Sequence, residues 1–241
     1  MRRTPNTGSA VAWLAALALV LPLAALANAN KSITIGDDIE TGSETTVNGS
    51  ISVGDRAVIN GRLETVNGKI RIGNDTRLGD AETVNGSIEV GNGVSAEDFH
   101  SVNGSIRLGM NVIVDGEIEV VNGKITLDRG TSVADSVENV NGEIRLVGAS
   151  VGGDVKTTQG DISILEGSMV QGDVVVRKPG GWGWSERRRK PTVVIGPGST
   201  VAGQIVLDQE VDLYISNTAQ VGGVTGEMSM DDAVRFGGAT P

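Results

Sequence analysis

The chain offers few residues that could do chemistry. It has one histidine, His100, and no cysteine. A zinc site with cysteine ligands is therefore impossible, and a lone histidine without a defined donor pocket gives weak support for acyl transfer or general base catalysis. Acidic pairs occur, such as Asp115 with Glu117 and Asp135 with Glu138, but acidic residues are scattered along the whole chain. The sequence predicts no catalytic residue, no cofactor and no metal site.

A basic segment interrupts this acidic chain near residue 180. Residues 177–191 hold six basic side chains and one acid, bracketed by Pro179 and Pro191, so we expect a loop insertion over 177–192. Tryptophan beside clustered arginine suits anionic surfaces such as lipid headgroups, phosphorylated glycolipids or acidic proteins. Alternatively, the segment folds back onto the protein's own acidic sides. The predicted partner-binding residues are Arg177, Lys178, Trp182, Trp184, Arg187, Arg188, Arg189 and Lys190.

A tripeptide, Val-Asn-Gly, recurs six times in the chain and indicates the repeated elements that must position this loop. Its successive glycines are 18 or 19 residues apart, and a fixed period of this size indicates a repeat architecture. Asn tolerates and Gly prefers left-handed backbone geometry, so each pair is predicted to turn the chain sharply. Stacked turns would align the asparagine amides in a hydrogen-bonded structural ladder. The predicted ladder consists of Asn48, Asn67, Asn85, Asn103, Asn122 and Asn141.

Two aliphatic residues follow each tripeptide at alternating positions, as in Ile106 and Leu108. This period of two predicts a half-buried strand, and the same template recurs in ten rungs between Ile33 and Ile215. Each period holds about three short apolar alternations separated by glycine. The sequence therefore predicts an all-β fold, a single three-sided parallel β-solenoid of about ten rungs over residues 30–225, with 226–241 as a C-terminal cap or disordered tail. Either hand fits a period of 18, because it equals three hexapeptides.

The N-terminus has the pattern of a secretory signal peptide over residues 1–29. Arg2 and Arg3 precede an apolar run from Ala10 to Leu26, which small-residue cleavage sites follow. An uncleaved anchor is the alternative, although a run of 17 residues broken by Pro22 is marginal for spanning a bilayer. We expect export to the periplasm or cell envelope. The net charge of −10, or −12 once the two arginines are removed, makes nucleic acid an unsuitable partner.

Three phrases of the form Gly-x-x-Val-x-Gly-x-Val/Ile occur at residues 148–155, 167–174 and 198–205. They resemble the repeats of the bactofilins, the polymer-forming bacterial cytoskeletal proteins, and the resemblance is best between Val140 and Gly226. It implies a right-handed three-sided β-helix that assembles end to end into filaments without nucleotide. The secretory leader and the basic insertion depart from the pattern of that family.

These patterns together predict a non-enzymatic structural or scaffold protein of the bacterial cell envelope. Its loop would contact an anionic lipid, glycan or protein, and the resemblance adds self-association end to end. The alternative is a secreted or surface-exposed module that binds polysaccharide or lipid. A carbohydrate-active β-helix enzyme is a further alternative, and it would require carboxylates that cluster in space.

Overall fold

The computed structural model describes residues 30–179 and 189–241, which form a parallel β-solenoid of ten coils with three sides. The predicted fold class is therefore confirmed. Within the described ranges the only helical segment is the 3-10 turn Met230–Asp232. No helix in this part of the chain is long and apolar enough to cross a membrane. The predicted signal peptide, residues 1–29, lies outside the described residues.

Each coil contributes one strand to the first sheet, which has 11 strands in sequence order. The ten predicted rungs are the first ten of these strands, and the eleventh comes from the C-terminal tail. The strands of the first sheet are Ile33–Ile35, Ile51–Val53, Ile70–Ile72, Ile88–Val90, Ile106–Leu108, Ile125–Leu127, Glu143–Val147, Asp161–Leu165, Thr192–Ile195, Asp212–Ser216 and Val234–Phe236.

The second and third sheets form the other two sides. In the second sheet a pair of strands, Glu40–Thr41 and Val58–Ile59, is joined through single bridges at Arg77 to seven further strands. Those seven are Ser95–Ala96, Ile113–Val114, Ser132–Val133, Ser150–Val151, Met169–Val170, Thr200–Val201 and Gln220–Val221. The ten strands of the third sheet are Glu44–Thr46, Leu63–Thr65, Ala81–Thr83, Phe99–Asn103, Ile118–Asn122, Val137–Asn141, Val155–Thr157, Val174–Val176, Ile205–Leu207 and Val224–Gly226.

The core is a stack of aliphatic side chains that repeats from coil to coil. Ile106 pairs with Ile88 on one side and with Ile125 on the other, and all three are fully buried. Burial of each such side chain contributes about 1.5–3 kcal/mol, which exceeds the roughly 1 kcal/mol of a typical hydrogen bond. Each aliphatic residue of one coil thus lies over the equivalent residue of the preceding coil. This stacking explains why the same alternating pattern returns in the sequence of every coil.

The glycines of the Val-Asn-Gly repeat are needed for a reason that differs from the predicted one. Of the six glycines only Gly142 has a positive φ, of 129°, and none of the six asparagines has one. A Cβ on Gly104 would instead lie 1.7 Å from the carbonyl oxygen of Gly86 in the preceding coil. Each of the other five glycines would place a Cβ 1.8 to 2.1 Å from the carbonyl oxygen of the preceding coil. The repeat therefore requires glycine because consecutive coils approach too closely at this corner for any side chain.

The asparagines of the same corner form a continuous ladder. Each Asn Nδ2 donates to the Oδ1 of the asparagine one coil earlier, at 2.8 to 3.0 Å, from Asn141 back to Asn30. Opposite charges pair between coils on the outward face of the first sheet, where the Lys124 Nζ lies 3.2 Å from Glu143 Oε2. These contacts fix the register of the coils, so that outward side chains also line up along the rod.

The C-terminal segment lies across the end of the rod. The side chains of Met228, Met230 and Ala233 are partly buried and pack against the core. The last strand then pairs Arg235 with the buried Ile215, so an exposed arginine stands in register with the aliphatic residues of the preceding coils. Its Nη1 donates to the Ser216 carbonyl oxygen at 3.3 Å. The C-terminal segment thus packs apolar side chains against the core and adds a last strand that carries Arg235.

Candidate functional site

The outward positions of the third sheet bring six ionisable side chains into one line. In-register pairing places each of them over its equivalent in the next coil, at the parallel-strand spacing of about 4.8 Å. We call this line the third-sheet column, and it consists of Glu64, Glu82, His100, Glu119, Glu138 and Lys156.

The carboxylates at the N-terminal end of the column are largely removed from water. Glu64 and Glu82 expose only 8% and 6% of their surface, although they face outward from the sheet. Half-buried valines such as Val84 follow two residues further along, just beyond the end of each strand. Burial is the main cause that raises the pKa of Glu64 and of Glu82. This part of the column therefore holds carboxyl groups whose charged form is disfavoured.

The middle of the column brings the only histidine of the chain against two glutamates of the next coil. His100 pairs in register with Glu119, and its Nε2 lies 3.9 Å from Oε1 of Glu117. One candidate ligand atom from each of the three side chains lies within 4.8 Å of the other two. The His100 Nε2 is buried and has no hydrogen-bond partner among the described residues. Two carboxylates therefore lie close to an imidazole whose Nε2 has no hydrogen-bond partner among the described residues.

The same cluster has the most strongly perturbed carboxyl group of the column. Burial, together with the negative charges of Glu117, Glu138 and Asp98, raises the pKa of Glu119 to about 7. Burial also raises the pKa of Glu117, with a smaller contribution from Asp98. Carboxyl groups in this state can hold a proton near neutral pH or can bind a cation that replaces it.

The C-terminal end of the column is neutralised by basic residues. The Lys156 Nζ lies 2.8 Å from Glu138 Oε1 and 3.0 Å from Asp154 Oδ2, and the Arg177 Nη1 lies 3.8 Å from Glu138 Oε2. Burial opposes the charged form of Lys156, but the hydrogen bonds with the two carboxylates outweigh it and raise the pKa of this lysine. Within the column, the carboxylates without an ion pair among the described residues are Glu64, Glu82 and Glu119, which belong to the first five coils.

Both ends of the basic loop are attached to the body of the rod. At its end, the Arg189 Nη2 donates to Asp161 Oδ2 at 2.7 Å, and the Lys190 Nζ lies 2.5 Å from Glu210 Oε2. At its start, the carbonyl oxygen of Arg177 accepts a hydrogen bond of 2.8 Å from Gln209 Nε2. These contacts fix where the loop leaves and rejoins the coils.

The eight predicted partner-binding residues accordingly divide into three groups. Arg177, Arg189 and Lys190 pair with carboxylates of the protein itself. Lys178 is exposed and has no ion pair within the described part of the chain. The remaining four, Trp182, Trp184, Arg187 and Arg188, lie outside the described residues.

The third-sheet column was not predicted from the sequence. The prediction of no metal site rests on the absence of cysteine and on treating Glu117 and Glu138 as members of separate acidic pairs. The structure instead joins residues of adjacent coils. The column could have been found from its constant position in the repeat. Each member lies two positions before the valine of Val-Asn-Gly or its equivalent, as His100 lies two positions before Val102.

Comparisons of the chain with family models, with curated protein sequences and with solved structures gave no match.

Proposed function

We propose that this chain is a non-enzymatic structural protein of the bacterial cell envelope, a rigid rod that presents the loop 177–192 to an anionic partner. The observation that carries this proposal is the attachment of both ends of the loop to the rod, through Arg177, Arg189 and Lys190. Parallel pairing on three sides of each coil supports the rigidity of the body. The pattern of residues 1–29 supports export.

The basic residues of the loop have two roles under this proposal. Those at the base hold the loop in place, because their charges are already balanced by carboxylates of the coils. The charge available to a partner then comes from Lys178 and from Arg187 and Arg188, beside Trp182 and Trp184. Arginine and tryptophan in combination bind anionic interfaces through charge attraction and partial burial of the indole ring.

A sedimentation assay with membranes tests this division. The purified chain is expected to sediment with bacterial envelope membranes, and alanine at Trp182, Trp184, Arg187 and Arg188 is expected to abolish this binding. A matched control replaces Arg71 and Arg107, two exposed arginines of the first sheet, and should leave binding unchanged. Vesicles with and without phosphatidylglycerol then show whether lipid headgroups suffice. Equal binding by the loop variant and the control would reject the proposal.

End-to-end assembly, which the resemblance implies, is opposed by the chemistry of the C-terminal end. Charged residues on the edge strand of a sheet discourage pairing with another chain, and the exposed Arg235 lies on the last strand in register with Ile215. We therefore propose that the rod does not extend through this end. Sedimentation velocity over a hundredfold range of concentration should show one species, and growing assemblies would contradict this.

A carbohydrate-active enzyme is the second candidate, because the carboxylates do cluster in the third-sheet column. Glu119, with its pKa raised to about 7, could act as a general acid beside the carboxylate of Glu117. This function would require glycan hydrolysis or elimination by the wild-type chain that is lost in Glu119→Gln. Absence of turnover across envelope glycans would remove it.

A further inference from the structure

We propose that His100, Glu117 and Glu119 form a binding site for one divalent transition-metal ion. The proposal is independent of the scaffold role of the loop and concerns the fourth and fifth coils, which precede the loop in the chain. It rests on two observations. Three metal-ligating side chains lie close together, and the buried Nε2 of one of them, His100, has no hydrogen-bond partner within the described part of the chain.

The unsatisfied nitrogen is the observation that points to a ligand. Buried polar atoms in folded proteins are almost always hydrogen-bonded, and each exception asks for an explanation such as an ion. The nearest carboxylate oxygen, Oε1 of Glu117, lies 3.9 Å from the His100 Nε2, which is too far for a hydrogen bond. A cation between the two atoms would be bound by both.

The geometry requires only small movements of side chains. Ligand atoms at about 2.1 Å from a tetrahedral zinc ion are about 3.4 Å apart, and the three candidate atoms here are within 4.8 Å of one another. The pairing of His100 with Glu119 on adjacent strands holds their backbones in fixed register. Rotation of glutamate side chains can therefore close the site without any change in the solenoid.

The charges around the cluster favour a cation. Asp98, Glu117 and Glu138 all lie near Glu119, so negative charge is concentrated around the cluster. Lys156, the basic residue whose charge acts on Glu119, is already paired with Glu138 and Asp154. A divalent ion would relieve the repulsion between these carboxylates.

The ligand set indicates which ions fit. Imidazole with carboxylates suits Zn²⁺, Mn²⁺ and Fe²⁺, whereas Ca²⁺ and Mg²⁺ prefer shells made of oxygen alone. Three protein ligands leave at least one coordination position for water or for a group of a partner. The site is thus an open one rather than a closed structural site of four side chains.

Calorimetric titration of the metal-free chain with ZnCl2 tests the proposal. We expect saturable binding of one ion per chain, weakened at least tenfold in His100→Gln and in Glu119→Gln. The matched control is Glu64→Gln, which removes a buried carboxylate of the same column two coils away and should leave the affinity unchanged. Equal weakening by the control, or unchanged binding in His100→Gln, would overturn the proposal.

A second measurement needs no variant. Because His100 is the only histidine in the chain, its ring protons give the only imidazole signals in a proton NMR spectrum of the untagged protein. Zn²⁺ at one equivalent is expected to shift these signals, and addition of EDTA should reverse the shift. Signals that stay in place while zinc binds elsewhere on the acidic surface would contradict a site at His100.

Discussion

Replacement of Gly104 by alanine should destabilise the solenoid far more than a glycine substitution normally does. A Cβ at this position would lie 1.7 Å from the carbonyl oxygen and 2.4 Å from the carbonyl carbon of Gly86. Both atoms belong to the backbone of the preceding coil, so no side-chain rotation can relieve the overlap. The two coils must separate locally by more than about 1 Å to reach an ordinary contact.

The expected loss of stability follows from the bonds that such a separation breaks. The Asn103 backbone N–H donates to the Val84 carbonyl oxygen at 2.7 Å, and the Asn103 Nδ2 donates to Asn85 Oδ1 at 3.0 Å. Overpacking costs about 1–3 kcal/mol, and each hydrogen bond lost at this exposed corner adds about 0.5–1.5 kcal/mol. We therefore expect Gly104→Ala to lower the free energy of unfolding by about 2–6 kcal/mol.

The matched control is Gly42→Ala, because no atom lies within 4 Å of a Cβ built on Gly42 and its φ is not positive. This substitution should be neutral or should stabilise the protein by about 0.4–1 kcal/mol through the unfolded chain. Urea denaturation followed by far-ultraviolet circular dichroism measures both variants. If Gly104→Ala unfolds at the same urea concentration as Gly42→Ala, close approach of the coils does not explain the repeat.

Three further predictions concern the ladder, the column and the end of the rod. Asn103→Ala removes two ladder hydrogen bonds and should lower the free energy of unfolding by about 1–2 kcal/mol, whereas an unchanged urea midpoint would show that the ladder adds nothing. Burial raises the pKa of Glu64, so its contribution to stability is present at low pH and is lost as pH rises through the folded-state value. The thermal midpoint of the wild type, measured in EDTA, should thus fall relative to that of Glu64→Gln between pH 4 and 8, and parallel curves would contradict this. Arg235→Leu places an apolar side chain over Ile215 and should produce concentration-dependent association in sedimentation velocity, with the wild type as the control.

The strands of the first sheet could be predicted from sequence because their signal is local and repeated. Ile106 and Leu108 alternate with an outward Arg107, and the same alternation returns in each coil at a period of 18 or 19 residues. The strand Val234–Phe236 was missed for the corresponding reason. The residue in register with the buried Ile215 is Arg235, which breaks the apolar alternation that identified the other ten strands.

The third-sheet column and the base of the loop depend on contacts between coils. His100 meets Glu119 only because the intervening residues complete one coil, and a search for ligands close together in sequence does not find them. The Lys190–Glu210 pair likewise joins residues one coil apart. Prediction of such contacts requires the repeats to be aligned position by position, including positions where residue types differ.

The most direct test of the proposed function is the location of a loop-replaced chain in the cell. Residues 180–188 are exchanged for a Gly/Ser linker of equal length, which keeps Arg177, Arg189 and Lys190 and their ion pairs in place. After export, the wild type is expected in the envelope pellet and the linker variant in the soluble periplasmic fraction. Recovery of both proteins in the envelope pellet in equal proportion would contradict the claim that this loop holds the rod to its partner.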